Sequence, residues 1–206
     1  MGELTAEQSP DDMAEELRGL GYVDWPAVWS GPPMPGPSLD DWCALFSWRP
    51  ISVERVLRVR TMSGTQLVLQ PVRPGGWSPV SAAEYTVWHL TAGSPEEDEL
   101  VLEEGAAAWS EYVAAARGVL GEPVFAGSWN DPDFPEPPDE WHWLTPSEPR
   151  LKRRNPYRMA MWRSPDPEGP VTELSLRHGG KARSGAGRRG VMVILRCHPR
   201  DNQELH

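Results

Sequence analysis

The chain predicts an α+β fold: an antiparallel sheet built from two strand meanders, with an N-terminal helical pair and one central amphipathic helix. Three observations predict it. Apolar residues near the start recur at helical spacing. Two later stretches alternate with period two and are broken by short turns. Between these stretches lies one long segment whose large apolar residues fall on a single helical stripe.

Taken in order, Ser9-Pro10-Asp11-Asp12 combines an N-cap residue, a proline at the first helical position and acids that complement the helix dipole. Met13, Leu17 and Leu20 follow at helical spacing, and Gly21 closes the helix. A Pro/Gly-rich loop is expected from Pro26 to Pro37, with Trp25 and Trp29 at its start. Ser38-Leu39-Asp40-Asp41 opens a second helix, Trp42, Leu45 and Phe46 form its apolar face, and Pro50 ends it. From Val53 the period becomes two, Ser63-Gly64 is a turn, and Gln66 to Val72 returns as the partner strand. Glu84 to Leu90 is a third strand, and Leu100 to Leu102 reads as a fourth, short one after a turn or exposed edge at Ser94 to Glu99. Gly105 to Leu120 is the clearest helix, with Trp109, Tyr112, Val113, Ala116 and Leu120 on one stripe and Gly121 as its stop. Asn130 to Pro149 is irregular. Arg158 to Arg163, Val171 to Arg177 and Val191 to Cys197 form the second meander.

The whole chain therefore reads as a single domain over 1–206. It comprises a helical region over 1–50, a meander plus helix over 51–128, a Pro/acidic loop over 129–149, a C-terminal meander over 150–197 and a polar tail over 198–206. Its 206 residues can bury one sizeable core, and 11 Trp supply large apolar area per residue. No apolar run reaches the roughly 18 residues of a spanning helix, so no membrane partner is expected. The acidic start, with Arg18 as its one basic residue before position 30, is the opposite of a secretory or transit signal. Cys43 and Cys197 are too few and too far apart for a disulfide framework, and a reducing, cytoplasmic setting is expected. Arg outnumbers Lys 18 to 2, and Ile51 and Ile194 are the only isoleucines, a bias that suits GC-rich codons.

Charge divides along the chain. Residues 1–149 hold 7 basic and 25 acidic side chains, net −18, and residues 150–206 hold 13 basic and 5 acidic, net +8, which together give −10. Two halves of one domain attracting each other, or a basic arm for an anion, both fit this division. The overall charge argues against general nucleic-acid binding, which depends on phosphate contacts.

No catalytic, metal or cofactor motif is expected to operate. Gly185, Gly187 and Gly190 match G-x-G-x-x-G, yet the run leads into the strand Val191 to Leu195, not into a helix N-terminus that would meet a pyrophosphate. A flexible basic loop is the expected reading, in which Lys181, Arg183, Arg188 and Arg189 are candidates for holding an anion. His142, near Asp139 and Glu140, has the company a general base needs, but is expected to be a surface imidazole packed on indoles. His89 is expected to be a satisfied, partly buried strand residue.

The most informative segment is SWNDPDFPEPPDEWHWLTPS, from Ser128 to Ser147. Acids alternate closely with aromatics, and prolines lower the ordering cost of a loop that binds. Trp anchors rimmed by charge are what a protein-binding hot spot needs. Asp131, Asp133, Phe134, Glu136, Asp139, Glu140, Trp141 and Trp143 are therefore the expected contact set for another protein, with half of the aromatics turned inward. The alternative partner is nucleic acid, through Arg150, Lys152, Arg153, Arg154 and the loop from Lys181 to Arg189.

An acidic, Trp-rich chain of this size, with the strand runs Tyr157 to Arg163, Val171 to Leu176 and Val191 to Leu195, resembles the small immunity proteins that neutralise polymorphic toxins in GC-rich bacteria. The resemblance implies a non-enzymatic, cytoplasmic protein that masks a partner, namely a basic toxin domain steered to it by charge. It transfers no individual binding residue.

Overall fold

A computed structural model of the chain describes residues 3–6, 8–73, 76–137, 143–179 and 190–200. The fold is α+β. The chain divides into two compact units, each assembled from separated stretches. The first takes Met1–Ala14, Thr86–Trp162 and Glu173–Leu195, and the second takes Glu15–Tyr85, Arg163–Thr172 and Arg196–His206.

In the second unit, helix α1 (Pro10–Leu20) enters from the first and runs to Gly21. Its start is the one the sequence predicts: Ser9 Oγ accepts from Asp12 N at 3.2 Å, and Asp12 Oδ2 accepts from Ser9 N at 3.1 Å. That reciprocal cap holds the Asp12 carboxyl below its ordinary value, chiefly through the Ser9 hydroxyl. The stretch expected to be loop from Pro26 instead begins with a short helix, α2 (Trp25–Ser30). Asp24 caps it by accepting from Ala27 N, and Pro26 has the fixed φ that suits a first turn. Trp25 and Trp29 stack at 4.8 Å between centroids. Helix α3 (Pro37–Leu45) follows, and its Trp42 meets Phe46 and Trp48 edge to face, with Phe46 and Trp48 tilted against each other.

The first meander begins earlier than the alternation from Val53 suggests. Strand β2 (Arg49–Ser52) lies on the edge, where Pro50 is tolerated because an edge strand needs no donor on its outer side. Strands β3 (Leu57–Arg60), β4 (Gln66–Pro71) and β5 (Val80–Thr91) follow in antiparallel register, in the order β2-β3-β4-β5. Leu57, Val59, Leu67 and Leu69 are buried, and their neighbours on each strand point outward. Glu16 on α1 is buried beneath the β3–β4 turn, where it accepts hydrogen bonds from Thr61 Oγ1 at 2.9 Å and from Ser63 Oγ. Thr61 and Thr65 close that turn through Thr61 N and the Thr65 carbonyl.

In the first unit, β5 continues beside strand β1 (Glu3–Ala6) and begins the order β5-β9-β8-β7-β6. The members are β6 (Phe125–Ser128), β7 (Arg158–Arg163), β8 (Val171–Gly179) and β9 (Gly190–His198). Helix α4 (Asp98–Leu120) packs on them. Leu100 to Leu102, expected as a strand, belongs to this helix: Val101 and Leu102 extend the buried stripe that continues through Gly105, Trp109, Tyr112, Val113 and Ala116. The acids Glu97, Asp98 and Glu99 mark the positive end of the helix dipole, not a sheet edge. Gly105 lets the helix sit close: a Cβ there would meet Val191 Cγ2 at 2.9 Å and Leu176 Cδ1 at 3.1 Å. Trp109 Nε1 donates to the Leu174 carbonyl at 3.0 Å, and Trp162 Nε1 donates to the Gly121 carbonyl at 2.9 Å, so both indoles are buried with their N–H satisfied.

Candidate functional site

The loop leaving β6 is built around one arginine. Its sequence is too rich in proline to form a ladder, so its backbone groups pair locally. Asp131 N reaches the Ser128 carbonyl at 3.0 Å, Asp131 Oδ1 accepts from Asp133 N at 3.0 Å, and Phe134 N donates to the Asp131 carbonyl at 3.2 Å. Gly127 makes room for this turn, since a Cβ there would lie 2.6 Å from Asp131 Oδ2. The Phe134 ring then meets Phe125 edge to face at 5.1 Å.

Beyond residue 142 the chain forms helix α5 (Ser147–Arg153) within a segment expected to be irregular up to Pro149. From this helix Arg150 reaches back into the loop and is 3% exposed. Its guanidinium carbon lies 3.9 Å from the centre of the Phe134 ring. Nη1 donates to the Trp129 carbonyl, and Nη2 pairs with the Glu136 carboxylate. The other oxygen of Glu136 accepts from Ser147 N at 2.8 Å, so one carboxylate both neutralises Arg150 and satisfies the start of α5. Trp129 is tied to the sheet by its N–H to the Tyr157 carbonyl at 3.1 Å, and the Arg154 guanidinium lies 5.4 Å over its ring.

The expected contact set therefore divides. Phe134 is 3% exposed and lies under the loop, so it is not free to meet a partner, whereas Glu136 is held by Arg150 and Ser147 with 41% of its side chain still exposed. Phe134 is corrected to a framework residue: its ring packs against a buried guanidinium inside the fold. Asp131 is half-buried and braces the turn. Asp133 is exposed, and Trp143 is half-buried. Asp139, Glu140 and Trp141 lie outside the described residues, as do His142 and the candidate anion-holding Lys181, Arg183, Arg188 and Arg189.

Arg150 is also corrected as a candidate for nucleic acid, because it is buried and both of its terminal nitrogens are engaged inside the fold. Lys152, Arg153 and Arg154 are exposed. Trp129, an aromatic of the same segment that the expected contact set leaves out, is half-buried at the root of the loop.

Elsewhere, His89 is half-buried, with Nε2 3.2 Å from Thr91 Oγ1. Burial pushes the Cys43 thiol up to about 11 and the Cys197 thiol up to about 12, the latter against a hydrogen bond from Thr172 that works the other way. Among the described residues, no group of three His, Cys, Asp or Glu side chains is placed to hold a metal ion, and no helix is long and apolar enough to cross a membrane. No protein-family model, no curated protein and no solved structure matches the chain.

Proposed function

We propose that the protein is a non-enzymatic binding module that docks on another protein through the surface of the arginine-braced loop, and that its partner is a basic toxin domain that it neutralises by masking. The observation that carries this reading is the buried Arg150, which fixes Phe134, Glu136 and the Trp129 carbonyl before any partner arrives. A loop ordered in advance avoids an ordering cost of about 0.5–1.5 kcal/mol for each side chain that would otherwise be immobilised on binding. It holds Asp133 outward, with Trp129 and Trp143 half-exposed. An exposed acid in the same loop segment as two half-exposed indoles is a composition suited to a hot spot.

The net −18 of residues 1–149 supports a basic partner, which that field would steer inward. The test is coexpression with the product of the neighbouring gene, followed by co-purification and a growth-rescue assay. A stable complex is expected. Trp143→Ala should raise its off-rate at least tenfold, while Asp133→Asn should lower the on-rate and flatten its salt dependence. A neighbouring product that neither co-purifies nor loses toxicity removes the toxin reading, and tight binding untouched by both variants removes the loop.

A further inference from the structure

The first meander carries a second surface, opposite in charge to most of the chain. Between residues 49 and 83 lie Arg49, Arg55, Arg58, Arg60 and Arg73 against a single acid, Glu54. The strand registers sort them onto faces. Arg49 is directly opposite Arg60, which is directly opposite Gln66, and in the next row Arg58 is opposite Val68, which is opposite Glu84. Residues directly opposite in an antiparallel ladder share a face. Leu57, Val59, Leu67 and Leu69 fill the other face, so the arginine side is the exposed one.

Two further facts set the chemistry of this face. Among the described residues, the side chains of Arg49, Arg58 and Arg60 make no ion pair and no hydrogen bond, and Arg49 and Arg60 oppose each other as like charges, an arrangement that costs stability in the free protein. The acid of these rows, Glu84, is already consumed: Oε1 accepts from Gln70 Nε2 at 2.8 Å, and Oε2 pairs with Arg196. These rows thus offer three unspent guanidiniums, an exposed amide at Gln66 and no free carboxylate of their own, the exposed Glu54 lying outside them between β2 and β3.

We infer that this face binds a single-stranded nucleic acid, with Arg49, Arg58 and Arg60 meeting successive phosphates and their planar guanidiniums stacking on unpaired bases. A duplex fits less well. Four strands at about 4.8 Å spacing span about 14 Å before side chains are added, wider than the roughly 12 Å major groove, which admits a two-stranded ribbon. An acidic protein fits less well too, because these rows hold no aromatic anchor for a protein hot spot, whereas the guanidiniums themselves supply planes on which unpaired bases stack. The chain's overall −10 does not prevent the contact, since charges beyond a screening length of about 8 Å at physiological salt are largely masked.

The full chain is titrated into a fluorescein-labelled oligothymidylate of about 15 nucleotides, followed by anisotropy between about 25 and about 200 mM salt. Three phosphate contacts predict a slope of log affinity against log salt of about −2, at about 0.7 per single-strand contact. Arg58→Gln with Arg60→Gln should weaken binding at least about tenfold and reduce the slope to about −0.7. Gln66→Glu, which plants a carboxylate opposite Arg60, should weaken binding with the fold intact by circular dichroism. No anisotropy change at the lowest salt overturns the inference, as does binding indifferent to both variants. Tighter binding of the matching duplex, or displacement by poly-L-glutamate at equal charge, also overturns it and assigns the face to a different partner.

Discussion

Replacing Arg150 by Met isolates what the buried guanidinium contributes. Met keeps most of the apolar contact with Phe134 but leaves the Trp129 carbonyl and the Glu136 carboxylate without their donor. The expected loss is about 2–3 kcal/mol, read as a lower urea midpoint with an unchanged slope. Glu136→Gln should cost less, about 1 kcal/mol, because that side chain is 41% exposed and water can replace part of what is lost. The two thiols make a pH prediction. Both stand above the ordinary thiol value of 9.0 in the folded protein, at about 11 for Cys43 and about 12 for Cys197, because burial disfavours the thiolate. Their contribution to stability is therefore complete below about pH 9 and is lost as pH rises through those folded values. A thiol reagent at about pH 8 should label neither cysteine in the native protein and both after unfolding, and thermal midpoints should fall above about pH 9. The inertness of the cysteines was legible in the sequence. The role of Arg150 was not, because a guanidinium beside Lys152 and Arg153 looks like surface charge until its burial is known.

One substitution made twice in α4 should have opposite effects. Gly105→Ala places a Cβ against the stiff, branched side chain of Val191 and against Leu176, and overpacking of this kind costs about 1–3 kcal/mol, more than the helix propensity it gains. Gly118→Ala meets nothing within 4 Å and should stabilise by about 0.5–1 kcal/mol. Thermal midpoints of the two variants, compared with the parent, check both signs. The stripe that buries Gly105 was only partly legible. From Trp109 onward the large residues declare a helix, but a three-residue apolar run such as Leu100 to Leu102 has no period of its own, and the acids before it suit a turn as well as a helix start. Strand β7 was legible to the residue, because Tyr157 and Pro156 bound it and its apolar run is continuous. Strand β2 was hidden by Pro50, which serves equally as a helix stop and as an edge residue, and α2 was hidden by a proline-rich surround in which only Asp24 announced a cap.

Charge was the whole-molecule property most open to misreading. Summed over 149 residues, the acids conceal the arginines of the first meander, whose like-facing placement appears only once registers pair Arg49 with Arg60. The division of the chain into units carries a prediction of its own. Strand β9 stands between β5 and β8, so a chain stopped before Gly190 leaves two long edges bare. Such a truncation should lose dispersed amide signals and aggregate, measured by NMR and light scattering. Each unit draws on residues from near both ends of the sequence, the first from before Ala14 and up to Leu195, the second from Glu15 and again beyond Arg196. During synthesis, the first cannot close before the strand up to Leu195 has emerged, nor the second before the residues that follow Arg196. Neither unit is therefore a contiguous stretch of sequence that could be excised and grafted elsewhere.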